Sequence, residues 1–544
     1  MARDLNADME TLRTVLTHAQ NRDFDRASAL AEKTLASGFE HPMLLNVVAT
    51  RLEMEGKYEE ALRLLERAVS ISPGDVGARN ALSLCLQRLD RPAEALYHVD
   101  ELLKKNPGLG FAHANRGNAL IALGSLGRAK QSHLQALALD PGNFAATAAL
   151  ASIATHRGEH EEARRWAEQA LAISPGFPDA VMSLAAAELA AGETARAQTL
   201  LHSLILDARV GPTDRARATG LLGDVLDAAG QYSEAFDAYT TGNEALRQIH
   251  RRFAQGTSVL AYTRTLAEAV GAVDPAHWKA APSAAAESAG ADPLEHVFLI
   301  GFPRSGTTLL EVVLDGHPQI ASIEEHELLT DAVLRFMREP LDLDPLAGAD
   351  ESRLRAVRAA YWNGVRRTGV DIAGKVFIDK HPLNTLKLPL IAKLFPRAKV
   401  LFACRDPREV VLSCFRRRFK MNPAMYELLT LPGAAAFYDA VMSFAEQVRP
   451  LLGLDWQVVR YENVVADLAG EMRAICEFLG LDWVEGMGDF AGRVRAREHS
   501  TPSTAQLSRG LDQSGIDQWR HYETHLQTVL PVLRPWVQKL GYPD

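Results

Sequence analysis

The residues best suited to hold an anion lie in Gly301-Phe-Pro-Arg-Ser-Gly-Thr-Thr308, between the apolar run Val297-Phe-Leu-Ile300 and the apolar residues Leu309, Leu310, Val312, Val313 and Leu314. An apolar run, a glycine turn and a second apolar run read as strand, loop and helix. The separation of Gly301 from Gly306 is that of a nucleotide phosphate loop, in which backbone N–H groups and a helix N-terminus hold anionic oxygens. A nucleotidase loop of this kind carries lysine before its Ser/Thr. Here Thr307 and Thr308 follow Gly306 directly, and the cation is Arg304, inside the loop. These residues predict a phosphate-bearing donor and leave open which group departs from it.

Four further polar clusters each follow a short apolar run: Glu324-Glu325 after 320–323, Asp379-Lys380-His381 after 375–378, Arg405-Asp406 after 399–404, and Glu462-Asn463 after 456–461. Apolar runs alternating with helical periodicity predict a parallel α/β sheet, and ligands bind such sheets outside the carboxyl ends of the strands. The five polar segments would then face one crevice. In Arg405-Asp-Pro-Arg-Glu-Val-Val-Leu-Ser413, Asp406 suits a helix N-cap, Pro407 the first turn and Glu409 a capping box. Ser413 falls about two turns into that helix. An arginine at a helix N-terminus is opposed by the dipole, so Arg405 implies a bound phosphate there, with a salt bridge to a nearby carboxylate as the alternative.

The elements that position these residues occupy the second half of the chain. In the first half, prolines 73, 107, 141 and 175 recur every 34 residues. Alanines 27, 61, 95, 129, 163 and 197 and glycines 56, 124, 158 and 192 keep the same period, with Asp90 at one glycine position. This pattern resembles a tetratricopeptide (TPR) array of antiparallel helix pairs, about six regular and one irregular, the irregularity being an insertion near Val210-Gly-Pro-Thr213. Such a superhelix holds peptides or proteins on its concave face; a spacer or a homo-oligomerisation device is the alternative. Residues 281–294 are rich in Ala, Ser, Pro and Gly and read as linker. The expected organisation is an all-α TPR superhelix over 1–270, a linker over 271–295, and an α/β domain with a central parallel sheet over 296–544.

A chain of 544 residues exceeds one core, and its net charge of −9 provides no basic field for nucleic acid. Four cysteines without C-x-x-C spacing favour a reduced, intracellular protein and supply no zinc module. The charged N-terminus lacks the apolar core of a signal peptide, and no segment has the length of a membrane span. The expected location is the cytoplasm.

The phosphate loop together with Arg405 and Ser413 resembles the paired motifs of sulfotransferases that use 3′-phosphoadenosine 5′-phosphosulfate (PAPS). Leu314-Asp-Gly-His-Pro318, Glu324-Glu325, Asp379-Lys380, Arg460-Tyr461-Glu462, Ser503-Thr-Ala-Gln506, Arg509 and Trp519 make the tyrosylprotein sulfotransferases the most similar group, over nearly all of 296–544. The resemblance implies that Pro303, Arg304, Ser305, Gly306, Thr307 and Thr308 bind the 5′-phosphosulfate, with Arg304 also stabilising transition-state charge. It implies that Arg405 and Ser413 hold the 3′-phosphate, that Tyr461 contacts the adenine, and that Arg509 joins the donor site where the tyrosylprotein group has lysine. Glu325 would be the general base, and Lys380 and Ser503 would stabilise the leaving phosphate. The product would be adenosine 3′,5′-bisphosphate, and phosphoryl-transfer logic demands no metal because a sulfuryl group carries less charge.

Of the acidic pair, one carboxylate is expected to point inward, and the spacing from Arg304 selects Glu325 over Glu324; Glu327 is a third candidate. His326 and His381 read as local hydrogen-bonding residues. Arg416-Arg-Arg-Phe-Lys420 is either the solvated end of the Ser413 helix or a positive lip for an acidic acceptor. The function predicted is O-sulfation of a protein or peptide tyrosine presented by the repeats. Sulfation of a glycan, lipid or small metabolite is the first alternative, and a non-catalytic repeat scaffold with a nucleotide-binding domain the second.

Overall fold

The computed structural model describes residues 5–278, 293–338, 341–496, 507, 510, 511 and 515–543. Ser503 and Arg509 lie outside the described residues. Contacts divide the chain into two compact units, Met1–Ala187 and Glu188–Arg497 with Thr501–Asp544.

The first unit is built from the repeats. Helix pairs such as Pro42–Met54 with Tyr58–Ile71 and Gly110–Ala122 with Leu126–Leu139 contain 13 and 14 residues. Ala27, Ala61, Ala95, Ala129 and Ala163, all fully buried, occupy the close crossings, because a methyl side chain lets helices approach. The turns at Gly56, Gly124 and Gly158 take φ between +72° and +77°, and Asp90 adopts +57° at the equivalent place. Arg22, one period before Gly56, is also left-handed at φ +58°.

The second unit begins inside the helix Pro178–Ala190 and contains the last repeat helices. These are α1 (Pro212–Ala228), α2 (Tyr232–Ile249) and α3 (Val259–Ala272). The insertion expected near Val210 lengthens α1, which has 17 residues where the helix Pro178–Ala190 has 13. Helix can absorb extra residues that a loop would leave with unpaired backbone groups. The linker expected over 271–295 is also revised. Residue 272 still belongs to α3, Pro275–Trp278 is helical with Trp278 buried, and strand begins at Glu295. Residues 279–292 lie outside the described residues.

A five-stranded parallel sheet follows, formed by β1 (Glu295–Gly301), β2 (Ile320–Glu324), β3 (Val376–Lys380), β4 (Lys399–Cys404) and β5 (Asp455–Arg460). The order is β2-β3-β1-β4-β5. From β1 the chain runs to the edge strand β2, returns inward to β3 and then crosses to β4 and β5 on the other side, so β1 ends at the switch point where a crevice must open. Four further helices position the site: α4 (Thr307–Leu314), α5 (Glu351–Arg367), α6 (Pro407–Arg416) and α7 (Leu431–Leu452). Helix α4 packs against β1 and β3 with Leu309, Val312 and Val313 buried, as the all-apolar strand interior requires. The array helix α3 packs on α7, where Gln447 Nε2 donates to Ala267 O at 2.8 Å.

Candidate active site

Strand β1 delivers its chain into a tight loop. Gly301 N–H donates to Thr385 Oγ1 at 3.1 Å, and the Thr385 hydroxyl donates to Gly301 O at 2.7 Å, which anchors the start. Phe302 is buried against Phe437 and Tyr438, so the loop cannot swing outward. Arg304 takes φ +70° and Gly306 φ +103°. A Cβ on Gly306 would stand 2.9 Å from Tyr461 Cδ2, so glycine is demanded by backbone and by contact. Thr307 and Thr308 are buried in the first turn of α4.

The loop opens into a crevice lined among others by Arg304, Thr307, Glu325, Arg405 and Tyr461. Pro303, Arg304, Gly306, Thr307, Thr308, Glu325, Arg405 and Tyr461 therefore converge, with Lys380 and Ser413 bonded to lining residues. Their individual contacts differ from expectation in several places. Ser413 Oγ accepts from Arg304 Nε at 3.0 Å, tying the 3′-phosphate candidate to the loop arginine rather than to Arg405. Arg405 lies over the Tyr461 ring at 4.6 Å, pairs with Glu409 at 3.5 Å and donates to Gly515 O. The carboxylate partner set second in the sequence reading is thus present, although Arg405 Nε remains buried without a hydrogen-bond partner. The capping box does not form. Asp406 does cap α6 by accepting from Arg408 N–H, but Glu409 accepts from Trp519 N–H at 2.9 Å, and Asp406 N–H donates to Glu462 instead. Burial raises the Glu409 carboxyl to about 7 despite the Arg405 charge.

Both members of the acidic pair turn inward, against the expectation of one. Lys380, fully buried at the end of β3, has Nζ 3.0 Å from Glu324 and from Glu325 and 3.4 Å from Glu311. An ammonium has three protons, and here three carboxylates surround it. Glu325, left-handed at φ +51°, is the member that lines the crevice. Burial opposes its charge, but Lys380, then His381 and Arg304, outweigh that and hold its carboxyl below the usual range. Glu327 is engaged elsewhere, with His381 at 3.1 Å and Lys387 at 2.6 Å. Strand alternation sends Asp379 to the opposite face of the sheet, where it accepts from Tyr361 on α5 at 2.8 Å and burial raises it to about 6.

Leu383, Phe419 and Met425 line the crevice and were missed as site residues, as was the charge of Arg417. Burial and then the charges of Arg417 and Arg405 destabilise the Arg304 guanidinium. Arginine remains protonated in proteins, so this strain is relieved by an anion rather than by proton loss. Arg417 follows the last residue of α6 in extended backbone (φ −91°, ψ 139°), within the Arg416-Arg-Arg run.

A cationic loop at the switch point of a parallel sheet thus faces a lysine-held carboxylate, in a chain whose first half is helical repeats. Residues 296–485 match the sulfotransferase family, and 12–76, 52–114 and 115–178 match tetratricopeptide repeats. The chain thus joins N-terminal tetratricopeptide repeats to a C-terminal sulfotransferase-family domain. Protein-tyrosine sulfotransferase 1 of Danio rerio is 26% identical over 266 residues, covering 45% of this chain and 72% of that protein. Protein-tyrosine sulfotransferase 2 of Gallus gallus is 24% identical, covering 45% and 69%. An uncharacterized protein of Aquifex aeolicus is 24% identical over 424 residues, which are 74% of this chain; the match spans about half (52%) of the Aquifex protein. Among solved structures, the tetratricopeptide protein TTC0263 of Thermus thermophilus is 22% identical with a TM-score of 0.31, covering 33% of this chain and 98% of that one.

Proposed function

We propose that this chain transfers the sulfuryl group of PAPS to a hydroxyl group, with a protein or peptide tyrosine as acceptor. The observation that carries the reading is that Glu325, held by Lys380, lines the same crevice as the Arg304 loop. The residues present fit a multiply anionic donor. Ser305 Oγ and Arg405 Nε are buried without hydrogen-bond partners, and burial with the charges of Arg417 and Arg405 destabilises the Arg304 guanidinium. The loop, Arg405, Ser413 and Tyr461 would hold such a donor, whose chemistry is a sulfuryl group leaving from a phosphate.

The chain's own residues supply the remaining requirements. Glu325 accepts the proton of the acceptor hydroxyl, a phenol with an ordinary pKa of about 10, and proximity in the crevice replaces a bimolecular encounter. Arg304 offsets charge that develops as the leaving phosphate departs. Lys380 keeps Glu325 ionised and aimed. The implied contribution of Lys380 to the leaving phosphate would require it to exchange one of its three carboxylate partners. The four cysteines are buried free thiols, which suits a reducing compartment and supports cytoplasmic residence as part of the proposal. The relatives named for protein-tyrosine sulfation support a tyrosine acceptor, and the repeats support its presentation as polypeptide.

Calorimetric titration tests the donor: adenosine 3′,5′-bisphosphate should bind tightly and ATP should not. Equal binding of ATP would overturn the assignment. Mass spectrometry of peptides, glycans and small phenols after incubation with PAPS tests the acceptor, and sulfate confined to saccharides or small molecules would remove the peptide reading.

A further inference from the structure

The crevice has walls of two kinds. Arg304, Gly306, Thr307, Thr308, Arg405 and Tyr461 make up the donor side. Among the other described lining residues only Glu325 and His381 are polar, and each already has a partner. Lys380 lies 3.0 Å from Glu325, and Glu327 lies 3.1 Å from His381. The rest of this second side is apolar. Leu383, Phe419 and Met425 line it, and each is only half-buried, so part of its hydrocarbon surface is left for a ligand to cover.

That composition constrains the ligand. Each saccharide hydroxyl withdrawn from water needs a hydrogen-bonding partner, and this side has one carboxylate and one imidazole to offer. An aryl ring needs none, gains from burial, and makes favourable contacts with another aromatic ring and with a thioether. A single hydroxyl on such a ring has Glu325 to meet.

Phe419 and Met425 do not stand on the sheet. They lie in the segment between α6 and α7, and that segment is mounted on the last repeat hairpin. At its start, Arg416 pairs with Asp227 at 2.5 Å and Arg418 with Asp224, both aspartates lying on α1. Gly220 of α1 leaves room for the Arg418 stem, since a Cβ there would stand 2.9 Å from Arg418 Cδ. Asn243 Nδ2 of α2 donates to Phe415 O at 2.9 Å. At the far end, the Arg247 guanidinium of α2 lies 5.6 Å from the Tyr426 ring centre, and Leu429 packs with Ala216 and Leu246. The run Arg416-Arg-Arg-Phe-Lys420 is therefore neither a solvated helix end nor a free positive lip. Two of its charges are neutralised by α1, and its phenylalanine lines the crevice.

We propose that Phe419 and Met425 determine acceptor specificity, forming with Leu383 an apolar wall that receives an aryl ring and turns its hydroxyl to Glu325, and that the repeat hairpin positions this wall. Asp224 and Asp227 are then positioning residues, acting through the segment they hold. The inference deepens the sulfuryl-transfer reading and rests on it.

The test measures sulfation of 4-methylphenol by the full chain with PAPS, alongside calorimetric titration of adenosine 3′,5′-bisphosphate. Contacts to a ring that does not itself react act alike in the ground and transition states, so their loss appears in KM. Phe419→Ala and Met425→Ala should each raise KM for 4-methylphenol about tenfold, with kcat and bisphosphate affinity little changed. Asp224→Asn should raise the same KM, and Asp224→Glu should keep it near that of the unaltered protein. Asp224→Asn combined with Phe419→Ala should raise KM by less than the product of the two single effects, because one residue acts through the other. Unchanged KM in both wall variants would overturn the proposal, as would a loss confined to bisphosphate binding, which would assign the wall to the donor. Single effects that multiply in the double variant would overturn the positioning role of the hairpin. Should the unaltered protein bind the bisphosphate and sulfate saccharides or aliphatic alcohols but not 4-methylphenol, the transfer reading would stand and the aryl wall would fall. Absence of bisphosphate binding would remove both. Thermal unfolding identifies variants that fail to fold; should Phe419→Ala be among them, Phe419→Leu, with a smaller expected rise in KM, carries the test.

Discussion

At the scale of single residues, the contact that matters most is Lys380 with Glu325. The lysine is fully buried yet remains charged because three carboxylates surround it, and burial alone would have discharged it. The same contact overrides the effect of burial on Glu325 and places its carboxyl below the ordinary range. A base must be deprotonated to act, so the acid limb of the kcat/KM profile should lie below the ordinary carboxylate pKa of about 4.3. Removing the ammonium leaves burial dominant. Lys380→Met should therefore move that limb to higher pH, and Glu325→Gln should lower kcat by about 10²-fold to 10⁴-fold at every pH. A Lys380→Met profile with an unmoved limb would dissociate Glu325 from the proton transfer. The sequence exposed these groups because each stands at the end of a strand, where polar residues in an apolar context need a reason. It did not reveal that Glu311 completes the lysine's partners, since a carboxylate inside the apolar helix α4 is visible as a partner only once α4 lies across β3.

At the scale of elements, the repeat turns show where pattern and physics agree. Positive φ at Gly56, Gly124 and Gly158 explains the glycine period, and Asp90 fills the same conformation at a tolerable cost because aspartate enters it more readily than most residues. Arg22 lacks that aptitude, yet it is left-handed at φ +58° and exposed. Arg22→Gly should stabilise the first unit by about 1 kcal/mol, the scale of the left-handed penalty for an ordinary residue, less the entropy glycine loses on folding. The measurement is a chemical unfolding midpoint, and a decrease would mean that the Arg22 side chain contributes more than its backbone costs. Strands were legible for a related reason. Parallel strands covered on both faces must be apolar throughout, so β1 and β4 appear as uninterrupted runs. The lengthening of α1, the buried Trp278 and the role of Glu409 were not legible, because each depends on a partner distant in sequence. Glu409, for example, suited a capping box locally and was taken by Trp519, 110 residues later.

At the scale of the whole molecule, the boundary suggested by composition and the boundary set by contacts fall in different places. The repeat pattern extends, after one step of 38 residues, to Ala235, so a reader of the sequence assigns α1 and α2 to the array, while their contacts place them in the second unit. Phe236 stacks on His525 at 4.1 Å, Tyr232 on His521 at 4.3 Å, and α3 covers α7. A fragment starting at residue 293 would expose these apolar faces and leave Arg416 and Arg418 without their aspartates. Leaving one charge of a buried pair unmatched costs about 3–5 kcal/mol, a large share of the ~5–15 kcal/mol that holds a typical domain together. The fragment 178–544 keeps the straddling helix Pro178–Ala190 whole and retains every one of these contacts. It should unfold cooperatively and bind adenosine 3′,5′-bisphosphate with the affinity of the full chain, whereas 293–544 should aggregate or unfold at a temperature lower by ten degrees or more, on the order expected for such a loss. Scanning calorimetry and titration of the two fragments side by side decide the matter. Equal stability and equal binding would place the functional boundary at the composition shift, and the last hairpin would then be ordinary repeat.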